Sequence, residues 1–591
     1  MSKTIYTGTG SGYGGDIIAS IEVEDGVITR VSLTGEDETK NIGDKAIAKL
    51  EADLSANGGQ YISAVSGATI TSSGVRDALK SAKIAAGLEQ AEELAEKVTY
   101  DTELLIIGCG LSGITCALSA SELGTEVLMC ERTEVFGGNG LWANGGFFVE
   151  TEQQKAAGVN YTVKEAFEKA EYFANYLNDP ILMRMVLGES AETVRWSDTY
   201  GAGFYLLPYQ KVIAHDNEPL CYHCWDGQDP IGHFRAALDA RENVRIAFGT
   251  IIDDLKTNED GTVIGAIGHN RAGQQVEVNA KAVYIGTGGY IADREMIKAA
   301  VGERVAKIVI ADSPEVSDGS GIRMAWKAGA GKCGEKLLGT HGGRTGLGMG
   351  KDGLPGCDIL MNLPILWVNR AGRRFMNEET IYESLFYSNM LLSQGGYAYI
   401  IFDSASIEQW KKAIIPMKMH FWDRFGTNLE GTGMGYYCPA VTTFDQDFPV
   451  AEAGNMGFKA DSIAELAEKM GVPVDALCRT VDNYNSYVAA KEDPEFFKPA
   501  ESLVYSVTEG PFYALRCNLQ AQGTTGGIRV NDRLEVCDDD LRPIRGLYSG
   551  GSDAGGLFSG SYTVLAGMGV SWAMTSGRIA GKSISEYVKT L

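Results

Sequence analysis

Apolar and polar residues alternate twice near the start of the chain. Ile17, Ala19, Ile21 and Val23 form one run, Val27, Thr29, Val31 and Leu33 the next, with Asp25-Gly26 between them. Two period-two runs joined by such a turn predict a β-hairpin. Helical spacing follows at 44–54 and at 75–97, the second ending in a charged stretch suited to a surface helix or linker. Between them, Ser66 to Gly74 is too rich in Gly, Ser and Thr to predict core. At Thr99 the pattern changes. Leu104 to Ile107 predicts a buried strand, Ile114 to Leu123 a helix, and Glu126 to Cys130 a second strand ending at Glu131. Far downstream, Val283-Tyr284-Ile285 is another apolar strand running into glycine. No 20–50-residue repeat is present.

Composition narrows the function classes. A chain of 591 residues is long enough for three or four domains. Lys+Arg 52 against Asp+Glu 77 gives a net charge of −25, which opposes phosphate backbones and anionic lipid. The 74 glycines come without a triplet period and point to many tight turns and close backbone approaches. No run of eighteen apolar residues predicts a membrane span. The first residues carry no apolar stretch of a secretory signal. Eleven scattered cysteines fit free thiols in a reducing compartment, so a cytoplasmic protein is the expectation.

The strand at 104–107 runs into Gly108-Cys109-Gly110-Leu111-Ser112-Gly113. Gly108 suits a sharp turn, Gly110 lets backbone approach a pyrophosphate, and Gly113 lets helix and strand pack closely. Helix-start N–H groups would bind the phosphates, and Glu131 would accept from a ribose hydroxyl. The competing reading is a tight turn without ligand. Strand, helix and terminal acid all standing in place favour the dinucleotide.

Further glycine clusters follow: Phe136-Gly137-Gly138-Asn139-Gly140, Ala143-Asn144-Gly145-Gly146, Gly286-Thr287-Gly288-Gly289 and Gly550-Gly551-Ser552-Asp553. Over about residues 100–590 this set resembles the flavoprotein family of soluble fumarate reductase, urocanate reductase and the 3-ketosteroid dehydrogenases. The resemblance implies an α/β protein in which a Rossmann-like FAD-binding domain is interrupted by an α+β capping domain. The expected division is 99–334 and 526–591 for the FAD-binding domain and 335–525 for the cap. It implies FAD contacts from Gly108, Gly110, Leu111, Ser112, Gly113, Glu131, Arg132, Gly137, Gly138, Asn139, Gly145 and Gly146. Further contacts are implied at Thr287, Gly288, Gly289, Asp318, Gly551, Asp553 and Gly567.

Residues 1–98 resemble a small α+β FMN-binding domain found in subunits of sodium-pumping quinone reductases. Tyr6-Thr7-Gly8, the hairpin, Ile42 to Ala46 and Ser66-Gly67-Ala68-Thr69 carry the likeness. The family attaches FMN through the Thr ending that last motif, which implies Ser66 and Thr69 as FMN contacts and Thr69 as the covalent position. Ser63 stands where the family has an acid, a departure that bears on attachment. The competing reading is a Ser/Thr turn capping a helix at Val75. Two flavins in one chain suggest that FMN relays electrons from a donor, or from an NAD(P)H-dependent partner reductase, to FAD.

In the fumarate-reducing members an Arg ends the segment G-x-R-F-x-N-E-x-x-x-R as proton donor. Here Gly372 to Tyr382 reads GRRFMNEETIY, so Tyr382 takes that position. The family's His-His-Thr-Met-Gly-Gly segment is matched by Gln522-Gly523-Thr524-Thr525-Gly526-Gly527, without histidine, and Ser559 to Gly569 holds no Arg. A dicarboxylate needs cationic partners to offset its desolvation. The ketosteroid branch instead has tyrosines matching Tyr382 and Tyr562. The resemblance thus implies an ene-reductase acting on an α,β-unsaturated carbonyl compound, with steroid-like enones among the candidates. Hydride would pass from FAD N5 to the β-carbon, and Tyr382 would protonate the α-carbon. Tyr562 and the N–H of Ala566 or Gly567 would bind the carbonyl oxygen, with His341 a further substrate contact. Packing of the tyrosines with satisfied hydroxyls is the competing reading. Reduction of a carboxylate substrate, a dehydrogenase direction, and an electron-transfer or flavin-storage protein are the rival functions.

Cys221-Tyr222-His223-Cys224 reads as a loop between Pro219 and Asp226-Gly227, without a second C-x-x-C to complete a zinc site. Arg373 and Arg374 suit either flavin or substrate charge or an ion pair with Glu378 or Glu379. No metal is expected.

Overall fold

The structure is a computed structural model. It describes residues 4–12, 15–24, 26–35, 43–56, 58–59, 69–88, 97–208, 219–227, 229–311, 316–345, 354–383, 387–413, 415–416, 437–438, 440–558, 560 and 565–591. Among these, no helix is long and apolar enough to cross a membrane.

The N-terminal segment builds β1 (Thr4–Ser11), β2 (Asp16–Glu24) and β3 (Val27–Thr34) into an antiparallel sheet, with the expected hairpin between β2 and β3. Ile17, Ala19 and Ile21 point inward to a separate core shared with α1 (Gly43–Ala56) and α2 (Thr69–Ala85). α2 differs from expectation at both ends. It begins six residues before Val75 and buries Thr71 and Ser72 in what read as a non-core stretch. The reason is close approach to β1, because a Cβ on Gly10 would lie 2.2 Å from Gly74 O. Small side chains are what this contact admits. At the other end α2 stops at Ala85, and Gly87 follows at φ 68°.

β4 (Lys97–Ile107), α3 (Leu111–Glu122) and β5 (Val127–Cys130) form the expected strand–helix–strand unit. They lie in an eight-stranded sheet where Gln275–Ile285 pairs in parallel with β4 on one side and with Pro543–Ser549 on the other. Ile107 is level with Ile285, and Ile285 with Ser549. Three glycine turns widely separated in sequence therefore leave the same edge, at the carboxyl ends of parallel strands. That is where such sheets bind ligands. The glycine-studded C-terminal segment is largely a buried helix, Met568–Val588, packed on α3. A Cβ on Gly577 would sit 2.1 Å from Thr115 Oγ1, so glycine sets how closely these helices approach.

The long strand Phe512–Thr524 organises a second sheet. It pairs antiparallel with Leu338–Arg344, Tyr397–Asp403 and Gly457–Ala460, and in parallel with Ile310–Ala311. The segment read as a Cys-x-x-Cys loop is instead a strand, Tyr222–Trp225, between Gly145–Phe147 and Phe204–Leu206. Burial explains this difference, since Cys221, His223 and Cys224 all lie inside the protein. Among the described residues no cluster could hold a metal ion.

Candidate active site

Each glycine of the first turn has its own constraint. Gly108 takes φ 102°, and a Cβ there would lie 2.3 Å from Gly286 O. One on Gly113 would lie 2.2 Å from Gly108 O. Gly110 differs: an added Cβ would meet no protein atom nearer than 3.9 Å. Packing does not explain glycine at 110, whereas a pyrophosphate lying across the start of α3 does. Gly110 is the N-cap of α3 and no side chain caps it, leaving the first N–H groups of the helix for an anion. These residues fit FAD.

Glu131 ends β5 with both carboxylate oxygens engaged. Oε2 accepts from Cys109 N at 2.9 Å, and Oε1 from Thr133 N at 2.9 Å and Thr133 Oγ1 at 2.8 Å. The acid is thereby fixed against the turn. Arg132 pairs with Asp318 at 2.9 Å and donates to Val316 O and Ser320 Oγ. Burial works against the Asp318 carboxylate, but hydrogen bonds from Ser320 and the nearby guanidinium outweigh it and lower its pKa. Gly137 donates its N–H to Cys109 O at 2.9 Å, and Gly138 approaches Gly110, so Asn139 starts beside the same turn.

The second and third turns close on one another. Asp553 is fully buried, and its carboxylate accepts from the N–H groups of Thr287, Gly288 and Gly289 and from Thr287 Oγ1. Burial raises its pKa even against those four donors. Thr287, Gly288, Gly289 and Asp553 are thus brought together, bonded to each other. Gly551 lies against Ser112 Oγ and accepts from Trp572 Nε1 at 2.6 Å. Leu111 and Ser112 are buried at the start of α3.

Gly145, Gly146, Ala566 and Gly567 meet in a different way. A Cβ on Gly145 would strike His223 O, and one on Gly567 would strike Gly146 C and Phe147 N. Protein packing alone accounts for these glycines. Gly567 stands at the N-terminus of the C-terminal helix with Ala566 buried before it.

Tyr382 ends a short 3-10 helix, Glu378–Tyr382, started by Asn377, whose Oδ1 accepts from Glu379 N at 2.9 Å. It is half-buried against the main core. Glu378 is held by Arg374 through two bonds of 2.8 Å, and Arg374 also reaches Asp493 at 2.8 and 3.0 Å. Lys498 lies 3.5 Å from Glu378 and donates to Tyr484 Oη at 2.8 Å. Of the two readings for Arg374, the structure takes the ion pair. The Arg374–Glu378 spacing of four was visible in sequence; Asp493 and Lys498, more than a hundred residues on, carried no such signal. His341 lies in strand Leu338–Arg344, and Thr69 opens α2; nothing is described of either side chain. Tyr562 and Ser66 lie outside the described residues.

An added Cβ on Gly523 would meet only Asn139 Nδ2, at 4.0 Å. The end of the long second-sheet strand thus borders the first glycine turn. Thr524 Oγ1 accepts from Tyr290 N at 2.9 Å, while the buried Thr525 Oγ1 has no partner.

The fold and the cradle at Gly110 define an FAD-dependent oxidoreductase with a separate N-terminal flavin module. The chain belongs to the FAD binding domain family, which it matches over residues 103–570, and it matches the FMN-binding domain family over 12–83. It is 29% identical to vinyl phenol reductase of Lactiplantibacillus plantarum, over 84% of this chain and 98% of that protein. It is 24% identical to urocanate reductase of Eggerthella lenta, over 98% and 91%. A flavocytochrome c3 fumarate reductase in its open conformation superposes with a TM-score of 0.61 at 26% identity, over 83% of this chain and 79% of that one.

Proposed function

We propose that this protein reduces the C=C bond of an α,β-unsaturated carbonyl compound or a comparably conjugated, uncharged substrate, with FMN passing electrons inward from a partner donor. FAD, when bound, supplies the hydride. The chain's own residues have five tasks. The turn at Gly108–Gly113 and Glu131 hold the dinucleotide. Tyr382 delivers the proton from its phenol to the α-carbon. Tyr562 and the Ala566–Gly567 backbone bind the oxygen on which charge develops, and His341 contacts the substrate. Gly523 leaves room beside Asn139.

The observation that carries this reading is the phenol at the motif's end, Tyr382, half-buried against the main core, with Arg374 already engaged. The cation nearest Tyr382 in sequence is buried against Glu378 and Asp493, so the motif offers a phenol, and not a guanidinium, at its end. A neutral substrate suits such a site, and one relative is named for a vinyl phenol, which bears no carboxylate. The rival reading, an unsaturated carboxylate, has support in the urocanate and fumarate reductases among the relatives. The proposed division remains 1–98, 99–334 with 526–591, and 335–525, in a cytoplasmic protein.

The test is anaerobic reoxidation of the viologen-reduced protein by 4-vinylphenol, a 3-keto-4-ene steroid, fumarate and urocanate. A neutral compound is expected to turn over fastest. Tyr382→Phe should keep FAD and lose about 100-fold or more in kcat. Fumarate or urocanate as the best substrate, or undiminished turnover by that variant, would overturn the proposal.

A further inference from the structure

Three guanidinium groups collect around the turn that enters strand Tyr397–Asp403. A Cβ on Gly395 would lie 3.0 Å from Arg370 Nη2 and 3.6 Å from Arg304 Nη1, so two cations share the space over one glycine. The Arg370 and Arg516 guanidiniums stand 5.6 and 3.9 Å from the centre of the Tyr397 ring. Cations brought this close repel one another unless an anion lies between them. Among the described residues, no carboxylate comes within ion-pair distance of Arg304, Arg370 or Arg516, while the charge of the buried Asp358 acts on Arg344. Arg370 donates to Gln394 O at 3.2 Å, while Arg516 Nε is buried without a partner.

A second observation points the same way. Arg516, Asn518 and Gln520 alternate along strand Phe512–Thr524 and so share one face. Asn518 and Gln520 are 8% and 2% exposed, yet Asn518 Oδ1 and Gln520 Nε2 have no hydrogen-bond partner. Arg344, level with Asn518 on the neighbouring strand, donates Nε to Gln520 Oε1 at 3.1 Å. Unpaired buried polar atoms in a row call for a missing partner. Cys517, Leu519, Ala521 and Gly523 alternate onto the other face, and Gly523 is the residue that approaches Asn139. Arg516, Asn518 and Gln520 thus lie on the face opposite Gly523, and Thr524, which continues their face, bonds Tyr290 N.

We infer that this face binds a multiply charged oxyanion of the phosphate class. Forked guanidiniums match a tetrahedral dianion with several acceptor oxygens. Gln520 Nε2 adds a neutral donor, and Asn518 Oδ1 can accept the proton of a P–OH group. The source is free phosphate or the phosphoryl group of a nucleotide.

Calorimetric titration of the FAD- and FMN-loaded protein tests this, with inorganic phosphate and AMP run in parallel at constant ionic strength against chloride. Saturable phosphate binding is expected, weakened at least tenfold by Arg370→Met and by Arg516→Met. Bound FAD and circular dichroism report whether those variants fold. Arg304→Gln, at an exposed position, should weaken binding at least threefold and decides the matter if they do not fold. AMP binding tenfold tighter than phosphate, and lost with the same substitutions, identifies a nucleotide; equal binding identifies free phosphate. Phosphate giving no more heat than chloride, or binding unchanged in every folded variant, overturns the inference.

Discussion

Arg374 grips Glu378 through two parallel hydrogen bonds of 2.8 Å, Nε to Oε1 and Nη2 to Oε2, with both side chains fully buried. The pair clamps the segment that ends at Tyr382. Asp493 completes it from a distant loop, where its carboxylate also accepts from the N–H groups of Glu495 and Phe496. Arg374→Met leaves the buried Asp493 without its cation and Glu378 with Lys498 alone, at 3.5 Å, so a loss of about 3 kcal/mol in urea unfolding is expected. A loss within 1 kcal/mol would show that the clamp does not stabilise the segment.

The same clamp predicts an acid dependence. Burial alone would raise the Asp493 pKa, but Arg374 and the local N–H groups outweigh it and hold it at about 2. A carboxyl group depressed on folding stabilises the native state above its unfolded pKa of about 3.9. That contribution is lost as pH falls from about 4 toward 2. Asp493→Asn should flatten the stability profile in that window and leave it unchanged above pH 5, as followed by thermal melting.

The first glycine turn and its flanking elements were legible because one local motif carries several independent constraints. The strand, the helix and Glu131 stand within two dozen residues of each other. What the sequence could not display is pairing between distant segments. Thr287 and Asp553 were each readable as cofactor contacts, but their bonds to one another depend on level pairing of Ile285 with Ser549. The strand Tyr222–Trp225 is not legible because a short element buried on both faces carries no alternation. The early start of α2 was missed because Gly8 and Gly10 of β1 make Ser- and Thr-rich sequence suitable for burial.

Gly110 and Gly113 should separate cofactor binding from folding. Gly110→Val starts from a Cβ with no protein atom nearer than 3.9 Å, so its apo melting temperature should fall far less than that of Gly113→Ala while bound FAD is lost. Gly113→Ala meets backbone at 2.2 Å and should lower the melting temperature and FAD together. Flavin released on denaturation, measured beside melting curves, distinguishes the two. Full FAD occupancy in Gly110→Val would remove the pyrophosphate from that position.

Asp553→Asn tests the lock between the second and third turns. The carboxylate serves four donors, whereas a carboxamide presents one acceptor oxygen and turns N–H toward N–H. Relief from burying a charge offsets part of this loss, since burial raises the Asp553 pKa. The unmade bonds should still dominate, lowering the melting temperature by several degrees and reducing FAD content. A more stable variant would mean that desolvation of the charge outweighs its hydrogen bonds.

His223 yields a dependence between about pH 6.5 and 4. Its ring is buried with Nδ1 donating to Cys221 O at 3.0 Å and Nε2 accepting from Thr151 Oγ1 at 2.8 Å, an arrangement that requires the neutral form. Burial lowers its pKa from 6.5 to about 4. Between those values the unfolded chain binds a proton that the folded protein does not, so stability falls as pH drops from 6.5 toward 4. The full difference is about 3 kcal/mol. His223→Gln should be less stable at pH 7.5, because it breaks the bond to Thr151, and should lose less on acidification than the parent. Urea midpoints at pH 4.5 and 7.5 decide this. Parallel losses in both proteins would mean that His223 takes up its proton equally in the folded and unfolded states, and so is not held neutral by burial.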